Sequence, residues 1–142
     1  MITEVNDREL LTQVVSDLLA FGMMPLVFGG WAMELLGLEA SREHEDIDLL
    51  VVAPTEMVDS FVASRREAIG KRFSHKRAFV EAGVLVELFL VNPADGSTQF
   101  WDRVTVTWPS LKAVVIADLP VAPAETVSHY ANEYGAIHAA RP

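Results

Sequence analysis

Two aspartates at the start of an apolar run are the feature that most limits how this chain can fold. Asp46 and Asp48 open a segment that stays apolar to Val52, and residues 47–52 are typical of a buried strand. Alternate residues of a strand project from the same face, so both carboxylates share one side. Two carboxylates this close repel each other, and aspartate is disfavoured in strands. The pair therefore indicates a site where oxygen ligands hold a cation such as Mg²⁺ or Mn²⁺.

Glu87 is a third carboxylate in an apolar setting. It is the only charged residue in the segment 84–91, which predicts a buried strand joined through Ala82-Gly83 to a preceding strand over 73–81. A carboxylate in a buried strand needs a metal, a proton or a partner, and a core Arg or Lys is the alternative to a metal. If this strand lies beside the aspartate pair, the three carboxylates can hold two cations, which activate an attacking oxygen and neutralise a leaving phosphate.

Gly29-Gly30 lies between a short predicted strand, Pro25 to Phe28, and a short predicted helix, Trp31 to Leu36. A glycine pair in this place lets backbone N–H groups approach a phosphate closely, with the start of the helix facing it. By itself the pair is also consistent with an ordinary turn. The order of glycine pair, Asp-x-Asp strand and distant glutamate is what indicates phosphate and metal chemistry.

Hydrophobic periodicity predicts three longer helices, and two further strands are predicted over 103–108 and 113–117. The order of helices and strands, together with the hairpin, predicts an α+β fold in which helices pack against a mixed β-sheet. No linker or repeat divides the chain, so we expect a single domain over residues 1–142. The helices with their end signals are Leu10 to Leu19 (capping box Asn6 and Glu9, Gly22 at the end), Thr55 to about Ala68 (capped by Thr55), and Pro123 to Tyr134 (Gly135 just past the end).

The composition excludes several classes of protein. The sequence has no cysteine, which excludes disulfide scaffolds, thiol catalysis and cysteine-zinc sites. Eleven basic and twenty acidic side chains give a net charge of −9, which argues against duplex nucleic acid as a partner and favours a cationic small molecule. The first nine residues carry four ionisable side chains, and no apolar run is long enough to span a membrane. We therefore expect a cytoplasmic protein without a membrane partner.

An ordered set of motifs extends around the glycine pair and the aspartates. Its members are Gly29-Gly30-Trp31, Glu34, Arg42, His44 and Asp46-Ile47-Asp48. In these residues and their spacing the chain resembles the nucleotidyltransferase superfamily typified by DNA polymerase beta. Within that superfamily it is most similar to the small lincosamide and aminoglycoside nucleotidyltransferases of antibiotic resistance. The match is specific over residues 28–52 and weaker, though in order, as far as Glu87.

The resemblance implies a polymerase beta-like fold and an enzyme that transfers a nucleoside monophosphate from ATP or another triphosphate to a hydroxyl of a small molecule. The acceptor would be a lincosamide or an aminoglycoside. Asp46 and Asp48 would be ligands of Mg²⁺, with two ions in the site. Glu87 would be the general base for the acceptor hydroxyl or a further ligand, and Gly29 and Gly30 would bind the triphosphate through backbone N–H groups.

Four other motif residues keep two interpretations each. Arg42 would pair with a phosphate or form a salt bridge within its loop. Trp31 would pack at the start of the helix or contact the nucleotide. His44 would orient the loop or a carboxylate, or act in the chemistry. Glu34 would support the metal site or lie on a solvated helix face.

Three questions stay open at this stage. The chain also resembles minimal nucleotidyltransferases of toxin–antitoxin systems that modify RNA or a protein, for which the basic residues between Arg65 and Arg77 would form the contact; a solvated helix end is the simpler account of them. A nucleotide-binding module without turnover is a third alternative. Relatives carry a further C-terminal segment that helps hold the acceptor, and this sequence ends at Pro142 without one. We therefore expect an acceptor pocket that is open, completed by a second subunit in a homodimer, or incomplete in this sequence. Trp101 and Trp108 would line it or pack in the core or on the surface.

Overall fold

A seven-stranded mixed sheet organises the structure, which is a computed structural model describing residues 6–142. The helices are α1 (Arg8–Ala20), α2 (Gly29–Leu35), α3 (Thr55–Ala63) and α4 (Ala124–Ala139), with a short 3₁₀ turn at Ile69–Lys71. The strands are β1 (Met24–Phe28), β2 (Asp46–Val52), β3 (Arg66–Glu67), β4 (Lys76–Glu81), β5 (Val84–Val91), β6 (Ser97–Phe100), β7 (Val104–Thr107), β8 (Val114–Ile116) and β9 (Leu119–Val121). The sheet has the order β3-β4-β5-β2-β1-β9-β8, and β6 and β7 form a separate hairpin.

Strand β2 lies in the middle of the sheet, antiparallel to β1 and parallel to β5. Leu49 and Leu50 project from opposite faces of β2 and both are fully buried, so the sheet is covered on both sides here. The combination of parallel and antiparallel neighbours with packed helices confirms the predicted α+β fold with a mixed sheet. All six strands predicted from the sequence are present with bounds shifted by up to three residues, whereas β3, β6 and β9 were not predicted as strands.

Helix α1 packs an apolar stripe against the sheet, but its first turn differs from the prediction. Asp7 is the N-cap, and its Oδ1 accepts from the Leu10 backbone N–H at 2.9 Å. The predicted capping box of Asn6 and Glu9 is therefore wrong, because the Asn6 side chain is hydrogen-bonded elsewhere in the fold. The buried stripe recurs at helical spacing and consists of Leu11, Val14, Val15 and Leu18.

Helix α3 is shorter than the sequence predicted. It ends at Ala63, and Arg66–Glu67 pair with β4 as an edge strand, so the predicted extension to Ala68 is wrong. Thr55 is also not the cap, since Pro54 occupies that position without a side-chain hydrogen bond. Pairing along the sheet edge outweighs the helical propensity of these residues.

Helix α4 is longer than predicted and continues through Gly135 to Ala139. Ile137 is buried in the core, and the rings of Tyr134 and His138, one turn apart, stack with centroids 5.6 Å apart. These contacts involve residues after the glycine and offset the roughly 1 kcal/mol by which a mid-helix glycine is disfavoured. None of the helices within residues 6–142 combines the length and apolarity needed to cross a membrane.

Candidate active site

Three carboxylates meet on one face of the central strands. Parallel pairing of β2 with β5 places Asp48 directly beside Glu87, and Asp46 lies two residues before Asp48 on the same face. One oxygen from each of the three lies within 4.8 Å of the others. The structure therefore brings together the carboxylates that the sequence placed on two separate strands.

The electrostatics of this triad match a cation site. Burial raises the pKa of Asp48 to about 7, the negative charges of Asp46 and Glu87 add to the shift, and the positive charge of Lys76 opposes it. Burial, followed by the charge of Glu87, also raises the pKa of Asp46. The donors are all carboxylate oxygens, which Mg²⁺ and Mn²⁺ prefer, and a divalent cation would relieve their mutual repulsion. The residues present thus fit the metal that the resemblance implied.

Glu87 also has the basic partner that was the alternative to a metal. Its Oε2 accepts from the Nζ of Lys76, which lies on the neighbouring strand β4. Both side chains are largely buried, with 15% of Lys76 and 10% of Glu87 exposed. A carboxylate has two oxygens, so an ion pair to one leaves the other for a cation or a proton. The two interpretations of Glu87 are therefore compatible.

The glycine pair lies directly against the triad. Gly29 has φ +57°, a left-handed conformation that favours glycine, and a Cβ there would lie 2.9 Å from the Cβ of Asp48. A Cβ on Gly30 would lie 2.6 Å from Nη2 of Arg42 and 3.0 Å from Nδ1 of His44. Helix α2 begins at Gly29 itself, so the predicted helix start at Trp31 is wrong by two residues. Only glycine, which has no Cβ, allows this close approach of helix, strand and loop.

A chain of hydrogen bonds holds the start of β2. Asn6 donates from Nδ2 to the Asp46 carbonyl at 2.8 Å, and its Oδ1 accepts from the indole N–H of Trp31 at 3.0 Å. The Trp31 ring packs on the His44 ring with centroids 4.2 Å apart, and Nε2 of His44 lies 2.9 Å from Oε1 of Glu34. That hydrogen bond lowers the pKa of Glu34. Asn6 is a site residue that sequence reasoning missed, because its only local signal was that of a helix cap.

The four motif residues with two interpretations occupy different places in this arrangement. Trp31 is buried and its N–H is satisfied, which accounts for it as a packing residue. His44 and Glu34 hold each other and the loop before β2. Arg42 is exposed beside Gly30, donates to the Glu43 carbonyl at 3.1 Å and lies 3.9 Å from Glu39. Contacts of Trp31, Arg42 and His44 with a nucleotide stay predictions.

Two cavities are lined by residues that contact the triad, and they share Tyr130 and Tyr134 of α4. One, of about 350 Å³, is mainly apolar and includes Phe28, Gly29 and Met33. The other, of about 280 Å³, is mainly aromatic and basic and includes Lys76. Burial, followed by the charge of Asp48, raises the pKa of Tyr130 to about 12. Tyr130 therefore lies within electrostatic reach of the triad, which no sequence signal in the last helix indicated.

The two tryptophans near β7 have different environments. Trp108 is buried, and its indole N–H donates to Oγ1 of Thr98 at 2.8 Å, so it packs in the core. Trp101 lines the cavity beside Lys76. The prediction that either could line an acceptor site is thus retained for Trp101.

Solved structures of other proteins share the architecture that carries this site. No protein-family model and no curated protein sequence matches the chain. The lincosamide antibiotic adenylyltransferase LnuA, solved with lincomycin bound, superposes with a TM-score of 0.70 at 15% identity, covering 97% of this chain and 95% of LnuA. The Thermotoga maritima protein TM1012, provisionally assigned as a nucleotidyltransferase, superposes with a TM-score of 0.64 at 19% identity, covering 93% of this chain and 86% of TM1012. The chain has the nucleotidyltransferase fold.

A third structure with this nucleotidyltransferase fold is ANT(2'')-Ia, solved with adenylyl-2''-tobramycin. It superposes with a TM-score of 0.59 at 17% identity, covering 89% of this chain and 76% of ANT(2'')-Ia. The fold expected from the motifs over residues 28–52 is thereby confirmed. At these identities the feature shared with the three structures is the fold, which by itself does not determine the chemistry.

Proposed function

We propose that this protein is a Mg²⁺-dependent nucleotidyltransferase that moves a nucleoside monophosphate, with ATP as the expected donor, to a hydroxyl of a small molecule. The observation that carries the proposal is the triad of Asp46, Asp48 and Glu87, whose oxygens lie within 4.8 Å of one another, with Gly29 pressed against Asp48. Adenylyltransferases are among the solved structures that share the fold. A partly buried cluster of three acids without a function would be costly to keep.

Asp46, Asp48 and Glu87 would hold the metal, and two ions are expected, as the resemblance implies. Bound Mg²⁺ would neutralise charge on the triphosphate and on the reacting oxygens. The protein's own contribution is to fix these carboxylates on two paired strands, so that the site is in place before a substrate enters.

The triphosphate is expected on the Gly29 side of the triad. Gly29 and Gly30 are only partly buried, so we expect their backbone N–H groups to meet phosphate oxygens, and the exposed guanidinium of Arg42 lies next to Gly30. The apolar cavity of about 350 Å³ beside Gly29 gives room for a nucleobase. Trp31 and His44 would support this side by holding α2 and the loop before β2 in place.

The reaction is an in-line displacement at the α-phosphorus. The acceptor oxygen forms a bond to that phosphorus while the bond to the bridging oxygen of pyrophosphate breaks, and the hydroxyl proton leaves the acceptor. Glu87 would take this proton or serve as a ligand, and its ion pair with Lys76 would fix its orientation. Catalysis would come mainly from positioning and charge stabilisation.

The decisive experiment is mass spectrometry of a pooled antibiotic panel incubated with the protein, Mg²⁺ and the four nucleoside triphosphates. We expect one compound to gain the mass of a nucleoside monophosphate. Asp48→Asn should abolish the product while far-ultraviolet circular dichroism shows an intact fold. Asp118→Asn, an exposed aspartate in the turn between β8 and β9, is the matched control and should keep full transfer. Product formation by Asp48→Asn would remove the metal assignment.

Modification of RNA or a protein in a toxin–antitoxin system is less well supported. Its sequence basis was the basic residues between Arg65 and Arg77, and most of these are engaged internally. Arg65 pairs with Asp17 and Glu81, Arg72 with Asp59 and Glu67, Arg77 with Asp59, and Lys76 with Glu87. Paired cations neutralise little phosphate charge.

We also propose that the protein is a homodimer and that it is cytoplasmic. A homodimer, which would complete the acceptor pocket from a second subunit, is checked by sedimentation equilibrium. A cytoplasmic location is checked by fractionation of cells that express the full chain.

A further inference from the structure

The cavity beside Lys76 lies on the opposite side of the triad from the glycines. Lys76 is on β4 and contacts Glu87, whereas Gly29 follows β1, and β5 and β2 lie between these two strands. The cavity of about 280 Å³ is therefore separated from Glu87 only by Lys76, which lines it, and lies on the side that the triphosphate would leave free.

The charged side chains that line this cavity are positive, whereas the protein as a whole is negative. Among the described residues its lining includes Lys71, Lys76 and Arg141 and no aspartate or glutamate, although the chain carries a net charge of −9. Glu87 balances Lys76, but Lys71 and Arg141 form no ion pair within residues 6–142. Both are exposed, so two cations stand unmatched at the entrance. Such an entrance attracts anionic groups and repels cationic ones.

The walls are flat aromatic surfaces, and the backbone of one wall residue, Trp101, is strained. Trp101 has φ +58° and Asp102 has φ +56°, left-handed conformations that a bulky side chain such as tryptophan rarely adopts. Strain of this kind persists where the surrounding structure enforces it, often at a ligand site. The guanidinium of Arg141 lies 5.8 Å from the Trp101 ring centroid, which links the charged entrance to the wall. The aromatic lining is Phe73, Phe89, Phe100, Trp101, Tyr130 and Tyr134.

Two buried polar atoms in this wall have no hydrogen-bond partner within the described residues. They are Nδ1 of His75 and Nε1 of Trp101, whose rings lie 4.4 Å apart. Burial and the neighbouring charge of Lys76 lower the pKa of His75 to about 4, so the ring is neutral near pH 7. Leaving a buried donor or acceptor unmatched is unfavourable, and a polar group on an occupant of the cavity would offset this cost.

We propose that this cavity holds the acceptor, and that it selects a planar, aromatic hydroxyl compound bearing an anionic group over a polycation. The proposal rests on the proposed function and names its substrate class. The ring stacks on the aromatic wall, the anionic group faces Lys71 and Arg141, and a polar atom meets Trp101 and His75. The hydroxyl faces Glu87, where its oxygen forms the new bond to the α-phosphorus, its proton is released and pyrophosphate departs.

A matched set of three probes tests the selectivity directly. We would measure binding of 3-hydroxybenzoate, 3-hydroxybenzyl alcohol and 3-hydroxybenzylamine to the full chain by titration calorimetry at low salt. The three share one hydroxylated ring and carry an anionic, a neutral and a cationic substituent. Two unmatched cations predict that the anion binds about tenfold more tightly than the amine, with the alcohol between them. Tobramycin, a polycation, should not displace the anion.

Variants assign this preference to the cavity. The double variant Lys71→Gln with Arg141→Gln should remove the preference for the anion. Arg8→Gln with Lys112→Gln removes the same net charge at exposed positions outside the cavity lining and should retain it. Trp101→Phe keeps a ring but removes the N–H, and should weaken all three probes by roughly threefold without changing their order.

Several results would overturn the proposal. These are equal or reversed affinities within the set, no binding of any probe at millimolar concentration, or a preference that survives Lys71→Gln with Arg141→Gln. If that double variant instead weakens ATP binding and leaves the anion unaffected, the cavity belongs to the nucleotide and the proposal is wrong. If the expected order is found but no nucleotide is transferred to any acceptor, the selectivity stands and the proposed function fails.

Discussion

Replacing Asp48 by asparagine should stabilise the metal-free protein above neutral pH. The native fold raises the pKa of this carboxyl from 3.8 to about 7, so the native state keeps a proton that the unfolded chain has already released. The free energy of unfolding therefore falls as the pH rises from about 4 to about 7. Asparagine is close in shape and carries no charge, so the variant avoids this loss.

The size of the effect follows from the pKa shift. About three pKa units correspond to at most about 4 kcal/mol at pH values near 8, because each unit is worth about 1.4 kcal/mol. Near pH 5.5 the gain in the free energy of unfolding from Asp48→Asn should be roughly half as large, since the native carboxyl is then mostly protonated. Rearrangement of the neighbouring charged side chains will reduce both free-energy differences in proportion.

Urea denaturation in the presence of a chelator measures this directly at the two pH values. Asp118→Asn serves as the control, because it removes a carboxylate from an exposed turn and should change stability little at either pH. Added Mg²⁺ should stabilise the original protein and have little effect on Asp48→Asn. If Asp48→Asn is no more stable than the original chain near pH 8 without metal, the argument from a repelling triad is refuted.

Three other substitutions test separate parts of the site. Gly29→Ala should lower the free energy of unfolding in urea by about 2 kcal/mol or more and weaken Mg²⁺ binding. In the control Gly37→Ala, also at positive φ but with free space around it, only the backbone strain should reduce stability, and activity should be kept. Asn6→Ala should lower kcat by loosening the start of β2, whereas Asp7→Ala removes a helix cap, costs about 1 kcal/mol and leaves kcat unchanged. Arg42→Gln should raise KM for the triphosphate about tenfold with acceptor KM unaltered; an unchanged KM would leave Arg42 with its loop contacts alone.

The carboxylate triad could be predicted because each step depends on local rules. Strand alternation puts Asp46 and Asp48 on one face, and a lone charge in an apolar strand marks Glu87 as a residue that needs a partner. The remaining step is the pairing of the two strands. Both are short apolar segments, as expected for neighbouring strands at the centre of a sheet. The mixed sheet was predicted from the order of helices and strands together with the hairpin.

The residues that escaped prediction are those whose role depends on distant parts of the chain. Asn6 matched a capping box, yet its side chain reaches Asp46, 40 residues away. Lys76 was grouped with neighbouring basic residues, and only the register of the β4–β5 hairpin places it on Glu87. Helix α4 passes Gly135 because Ile137 is buried beyond it. In each case a tertiary contact outweighs the local pattern.

Binding of Mn²⁺, followed by electron paramagnetic resonance with and without a non-hydrolysable ATP analogue, tests most directly whether the triad is a cation site for nucleotidyl transfer. We expect the original chain to bind manganese and to bind it more tightly with the analogue, since metal and phosphates share the site. Asp46→Asn, Asp48→Asn and Glu87→Gln should each weaken binding by about tenfold or more, and Asp118→Asn should not. Manganese bound equally well by the original chain and by all three triad variants would contradict the account.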